Sequence, residues 1–222
     1  MNVWVVIAAF NEEKHLGNVL KETKKYAKNI VVVDDGSRDK TSAIAKDAGV
    51  DVIALKQNQG KGFALRTGCD YAVKKGADVI VSLDADGQHP PAYIPKLLKT
   101  LEKEKTDIVF TKRSGDMPFS RAFGNWVLNS LMRILFGRKQ KDMLCGFMVY
   151  TPDAYKKIRW NTNRYEVEAE LTAKCLTKKL HWAEIQIPSI YHEKGKGVKL
   201  SDAISIAFFI VWLRLTIRKD SE

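Results

Sequence analysis

At 222 residues the chain is the size of one ordinary domain and can bury its own core. Its 45% hydrophobic and 28% charged residues exclude a disordered polymer. Lysine and arginine number 37 against 26 acidic residues, so the formal charge of +11 points to an anionic partner. Nucleic acid, an anionic membrane surface and a phosphorylated small molecule all stay open on charge alone, as does a lysine-rich surface that only aids solubility. Cys69, Cys145 and Cys175 are odd in number and widely spaced, which excludes a disulfide framework or a metal knuckle and suggests buried thiols in a reducing compartment.

Val3 to Ala9 is a β-branched, non-alternating run, as expected of a strand covered on both faces. It lacks a basic leader and so reads as a first strand rather than a signal peptide. Asn11 is a candidate N-cap for a helix reaching about Lys28, with Leu16, Val19, Leu20 and Tyr26 near helical spacing. A second strand over 29–33 ends in Asp34-Asp35-Gly36-Ser37, a helix covers 41–48, and a third short strand covers 50–55. Strands alternating with helices at this spacing predict a nucleotide-binding α/β architecture. No G-x-G-x-x-G follows the first strand, which argues against a dinucleotide site. The acidic and amide turns suit hydrogen bonding to a base and ribose, with plain turn and capping roles as the alternative.

Asn58-Gln59-Gly60-Lys61-Gly62 opens a helix to about Lys75 whose N-terminus, with Lys61, could face an anion, although Walker A spacing fails. A strand over 78–82 then delivers Asp84-Ala85-Asp86-Gly87-Gln88-His89-Pro90. Two carboxylates one residue apart, with an amide two residues on, can hold Mg²⁺ or Mn²⁺ at a strand's carboxyl end. In isolation the same loop reads more readily as a cap of the next helix, and only the rest of the chain overturns that reading. A helix over 93–104 and a strand over 107–111 lead to Lys112-Arg113.

The order of these motifs, Ala8-Ala9-Phe10-Asn11-Glu12, Val33-Asp34-Asp35-Gly36-Ser37, Asn58-x-Gly60-Lys61-Gly62 and Asp84-Ala85-Asp86-Gly87-Gln88, resembles the family-two inverting glycosyltransferases. The nearest resemblance is to the dolichyl- or polyprenyl-phosphate hexose synthases. It spans about residues 3 to 200 and implies a GT-A domain over 1–200, a Rossmann-like three-layer α/β domain with a mixed, mostly parallel sheet. It also implies a nucleotide-sugar donor held by Ala9, Phe10, Asn11, Glu13, Val33, Asp35, Lys61, Asp84 and Ala85. Asp84, Asp86 and Gln88 would seat the metal.

The second half raises the question of the acceptor. Phe119 to Phe136 is amphipathic, with Phe123, Trp126, Val127, Leu131, Ile134 and Leu135 apolar, and reads as core packing or, by the resemblance, as a membrane-facing helix beside a lipid-phosphate site. Asp142-Met143-Leu144-Cys145-Gly146-Phe147 resembles the family's Asp-x-x-Ser-Gly-Phe, with Cys145 in place of serine. Tyr165 to Leu171 begins a helix, 184–188 is a strand, and the glycine-rich basic loop 191–199 reads as a flap that closes over phosphates. Arg113 and Arg121, with Lys196 and Lys199 of that loop, are the acceptor-phosphate candidates.

Residues 201–222 form a separate C-terminal helix. Its apolar run 203–213 is too short to span a bilayer and suits an interfacial helix or one packed on the domain. The expected reaction is hexose transfer from a UDP- or GDP-sugar to a polyprenyl phosphate, with Asp86, Arg113 and Arg121 catalytic. Inversion needs no enzyme base, because the acceptor phosphate is already anionic. This places the chain peripherally on the cytoplasmic face of a membrane, without a nucleic-acid partner. A soluble or polysaccharide acceptor, or a non-catalytic basic membrane-binding module, are the alternatives.

Overall fold

The computed structural model describes residues 1–114, 119–137, 141–188, 190 and 200–217. Four apolar runs become the centre of the sheet: β1 (Val3–Ala9), β2 (Asn29–Asp34), β3 (Asp51–Ala54) and β4 (Val79–Asp84) lie in parallel, in the order β3-β2-β1-β4. Beyond β4 the order continues β6-β5-β7, with β5 at Ile108–Ser114, β6 at Met148–Tyr150 and β7 at Trp182–Pro188. Strand β6 runs antiparallel to both neighbours, while β5 and β7 are parallel to each other. The seven-stranded sheet is thus mixed and mostly parallel, as expected.

Strand β1 lacks polar alternation because both of its faces are covered. Val5, Ile7 and Ala9 pack under α1 (Leu16–Thr23), α2 (Thr41–Asp47) and α4 (Ile94–Lys103), whereas Trp4 and Val6 pack under α3 (Lys61–Lys74). The latter face is completed by α6 (Pro152–Ile158) and α7 (Val167–Thr177), giving three layers. A third, smaller cluster joins α5 (Phe119–Phe136) and α8 (Leu200–Ile217) to α7 through Leu128, Met132, Ala169, Ala173, Ile206 and Ile210. The C-terminal helix therefore packs on the domain along one face. All three cysteines are buried and outside any disulfide.

Two local expectations change. Asn11 does not cap a long first helix: it adopts φ +53°, and α1 starts only at Leu16 after a turn closed by His15 and Leu16 N–H groups on the Glu12 carbonyl. The reason is that residues 11–13 are bonded sideways to the loop after β2. Strand β6 and helix α6 were not anticipated, since three residues carry too little periodicity to register as a strand.

Candidate active site

Parallel strands bring three acidic turns to one edge of the sheet. Register pairs Ala9 with Asp34 and Ala8 with Asp84, so the ends of β2 and β4 flank the end of β1. On the β1–β2 side the two loops are cross-linked. Asn11 donates its N–H to Ser37 Oγ at 2.9 Å, and its own Oδ1 accepts the Arg38 N–H at 2.9 Å. Glu12 N–H donates to Thr41 Oγ1, Glu13 N–H to Asp39 Oδ2, and Lys40 N–H to Glu13 Oε2. Asp34 closes its own turn on the Ser37 N–H, the capping role. Asp35 instead reaches the loop before α3, accepting Gln59 N–H at 2.7 Å and Gly60 N–H at 2.8 Å. Phe10 stands above these turns with 44% of its surface exposed.

Asp84, the last residue of β4, meets Lys61, the first of α3, and Glu168 in the first turn of α7. Lys61 Nζ lies 2.8 Å from Asp84 Oδ1 and 2.8 Å from Glu168 Oε1. His89 Nε2 lies 3.6 Å from Asp84 Oδ2 and 3.9 Å from Cys145 Sγ, which in turn lies 2.9 Å from Thr111 Oγ1. Gly146 makes this convergence possible, since a Cβ there would fall 2.8 Å from Lys61 Nζ and 2.9 Å from both Asp84 oxygens. Burial opposes the charged Asp84 carboxylate, but Lys61 and His89 outweigh it and hold its pKa far below the carboxylate range. Burial likewise opposes the Lys61 ammonium, yet the two carboxylates raise its pKa. Two acids share one lysine: Glu168 is the one whose pKa is raised, by burial and by the Asp84 charge. Burial works to lower the His89 pKa, but Cys145 and Asp84 carry it up to about 10.

The sequence profile of glycosyl transferase family 2 matches residues 4–159. The chain belongs to that family. It is 30% identical to the UDP-N-acetylglucosamine–dolichyl-phosphate N-acetylglucosaminyltransferase of Methanococcus voltae over 96% of each protein. It is also 30% identical to the dolichyl-phosphate hexose transferase of Haloferax volcanii over 88% of this chain and 85% of that one. Among solved structures, the glucosyl-3-phosphoglycerate synthase of Mycobacterium tuberculosis, in complex with Mn²⁺, UDP and glucosyl-3-phosphoglycerate, superposes with a TM-score of 0.75. That match covers 98% of this chain and 79% of the other at 20% identity, a likeness of GT-A fold. The protein is a glycosyltransferase.

In this glycosyltransferase the sequence-predicted donor residues fall around one edge of the sheet, but not all expose side chains there. Val33 is wholly buried, and Ala9 and Ala85 nearly so, so these three present no side chain to solvent there. At the N-terminus of α3, Phe63 N–H donates to the Asn163 carbonyl and the Lys61 side chain is held by two carboxylates. Asp86 Oδ1 accepts the Gln88 N–H at 2.9 Å, and Gln88 is half-buried with its carbonyl accepting Ile190 N–H.

At the end of β5, Arg113 forms a two-pronged pair with Asp142, Nε to Oδ2 at 2.7 Å and Nη2 to Oδ1 at 2.9 Å. Asp142 also accepts from Asn125 of α5, and although burial opposes its charge, Arg113 holds its pKa low. Asn125 thus ties the Arg113–Asp142 pair to α5, the helix that also carries the exposed Phe123 and Trp126. Backbone places Arg121 in the first turn of α5; its side chain, Lys196 and Lys199 lie outside the described residues. Glu168, His89 and Gly146 were not expected at the site.

Proposed function

We propose that this glycosyltransferase moves a hexose from a UDP- or GDP-sugar to a dolichyl- or polyprenyl-type phosphate, with inversion and with help from Mg²⁺ or Mn²⁺. The observation that carries the choice of acceptor is the joint outer face of α5 and α8, which exposes Phe123, Trp126 and Ile134 together with Ile204, Phe208, Val211, Trp212 and Leu215. So large an apolar face is what a lipid surface covers, and the net charge suits an anionic one. It borders the site: Ser205 of α8 donates to Glu166 at the head of α7, and Arg113 hangs from α5 through Asp142. Among the described residues no helix is long and apolar enough to cross a membrane. The proposed contact is peripheral, at the cytoplasmic face.

The donor set fits a divalent cation only in part. Asp84 and Asp86 supply hard oxygens at one strand end, yet among the described residues no group of three His, Cys, Asp or Glu side chains can hold a metal. The remaining oxygens would come from Gln88 and from the donor diphosphate, and the ion would supply charge neutralisation for that leaving group. Phe10 offers a face for the base, with Asn11 and Asp35 at its edge. Arg113, with Arg121 and the flap lysines Lys196 and Lys199, would hold the acceptor phosphate, whose charged oxygen displaces the nucleoside diphosphate from the anomeric carbon. Lys61 and Glu168 border the space for the sugar.

The test is transfer of labelled hexose from UDP- and GDP-sugars to polyprenyl phosphate in liposomes, against a water-soluble acceptor. Transfer to the lipid, dependent on Mg²⁺ or Mn²⁺, is the expected result. Transfer only to the soluble acceptor, without liposome binding, refutes the lipid assignment.

A further inference from the structure

The carboxylate at the centre of the site is already neutralised by part of the chain. Lys61 Nζ sits 2.8 Å from Asp84 Oδ1, in a seat built from four separate elements: the start of α3, the end of β4, the first turn of α7 and the chain entering β6 at Gly146. Side chains of Lys61 and Asp84 are only 20% and 22% exposed, and that of Glu168 is 5% exposed, so water screens these charges poorly. The far oxygen of Asp84 faces His89 at 3.6 Å. Asp86 is the second acid of the pair, and its Oδ1 accepts the Gln88 N–H.

We infer that Lys61 is a built-in counter-cation that keeps a bare divalent ion off Asp84, so that metal binds well only together with a nucleoside diphosphate. This rests on the metal-assisted donor binding proposed above. An ammonium and a divalent ion on one carboxylate repel at short range in a poorly screened site. The diphosphate brings negative charge that offsets both cations, and oxygens that complete a shell the protein leaves unfinished. Glu168 sets the balance, because it draws the same ammonium away from Asp84 with an equally short contact. Lys61 thereby acts as a positioning residue for the order of binding.

The experiment measures free Mn²⁺ by electron paramagnetic resonance on the full chain, alone and with UDP or GDP. The wild type should bind Mn²⁺ weakly alone and far more tightly with nucleotide. Lys61→Met should tighten nucleotide-free binding about tenfold or more, and so shrink the nucleotide dependence. Glu168→Gln, which leaves the ammonium wholly with Asp84, should weaken nucleotide-free binding instead. A folded Lys61→Met protein that binds Mn²⁺ no more tightly than the wild type overturns the inference. If that variant does not fold, Glu168→Gln decides: weaker binding supports the inference, and unchanged or tighter binding overturns it. A wild type that fails to bind Mn²⁺ even with both nucleotides overturns the metal assignment itself. Nucleotide-dependent binding indifferent to both substitutions overturns the counter-cation alone.

Discussion

Replacing Phe208 and Trp212 by serine tests whether the outer face of α8 meets a lipid surface. The two side chains are 75% and 55% exposed, so of the ~200–250 Å² an aromatic residue can bury, roughly 150 Å² and 140 Å² are available. At ~25 cal/mol per Å² the pair could contribute about 7 kcal/mol if fully transferred to hydrocarbon. An interfacial helix sinks only its face into the headgroup boundary, so about half of that, ~3.5 kcal/mol, is the reasonable share. Binding to anionic liposomes, followed by flotation, should then fall between one hundred- and one thousand-fold, on the order of 1.4 kcal/mol per decade. The fold should be nearly unaffected, because the principal packing at risk is the Phe209–Trp212 stack, worth about 1 kcal/mol. Equal liposome binding by the double variant and the wild type, with both folded, refutes the reasoning.

Other outcomes follow from the site. Asp86→Ala should abolish metal-dependent transfer and leave the melting temperature within a degree or two, since among the described residues its side chain accepts one loop hydrogen bond; full activity would contradict the metal seat. Gly146→Ala should cost about 1–3 kcal/mol by overpacking against Lys61 and Asp84, and reduce turnover more than tenfold, read by thermal unfolding beside the transfer assay. Asp142→Ala, which removes the two-pronged pair with Arg113, should cost about 3 kcal/mol in urea unfolding at neutral pH, and a loss below about 1 kcal/mol would show the pair to be idle. Because the Asp142 pKa is depressed in the folded chain, its contribution is present above the unfolded value near ~3.9 and is lost as pH falls toward the folded one. The stability gap between wild type and Asp142→Ala should therefore close below about pH 4.

The parallel half of the sheet was legible because Val3–Ala9, Asn29–Asp34 and Val79–Asp84 are apolar runs that suit strands buried on both faces, each ending in a polar turn. Order of motifs, rather than any one of them, pointed to the family. Illegible were contacts made between residues far apart in the chain. Nothing local marks Glu168 as the partner of Lys61, since a glutamate early in a helix is as good a reading of the macrodipole. His89 follows the two aspartates and precedes Pro90 with no local signal of its own, yet the fold buries it between Asp84 and Cys145. Asn11 read as a helix cap because asparagine suits that place, and the same residue also tolerates the left-handed backbone it adopts. The lysine read as facing an anion proved to be shared by two acids, a distinction that depends on where α7 packs.

Strand β6 has a consequence for how the enzyme comes into being. Its three residues join Ile80–Ser82 of one half of the sheet to Ile108–Val109 of the other, and they run against both. So short a strand cannot hold on to either neighbour alone, and its partners lie at large sequence separation, so it adds late in folding. Gly146, which lies just before it and opposite Asp84, reaches its place only when both halves have formed and met. A chain with intact helices but an unjoined sheet would thus be silent in turnover, and catalysis reports completed folding more strictly than secondary-structure content can.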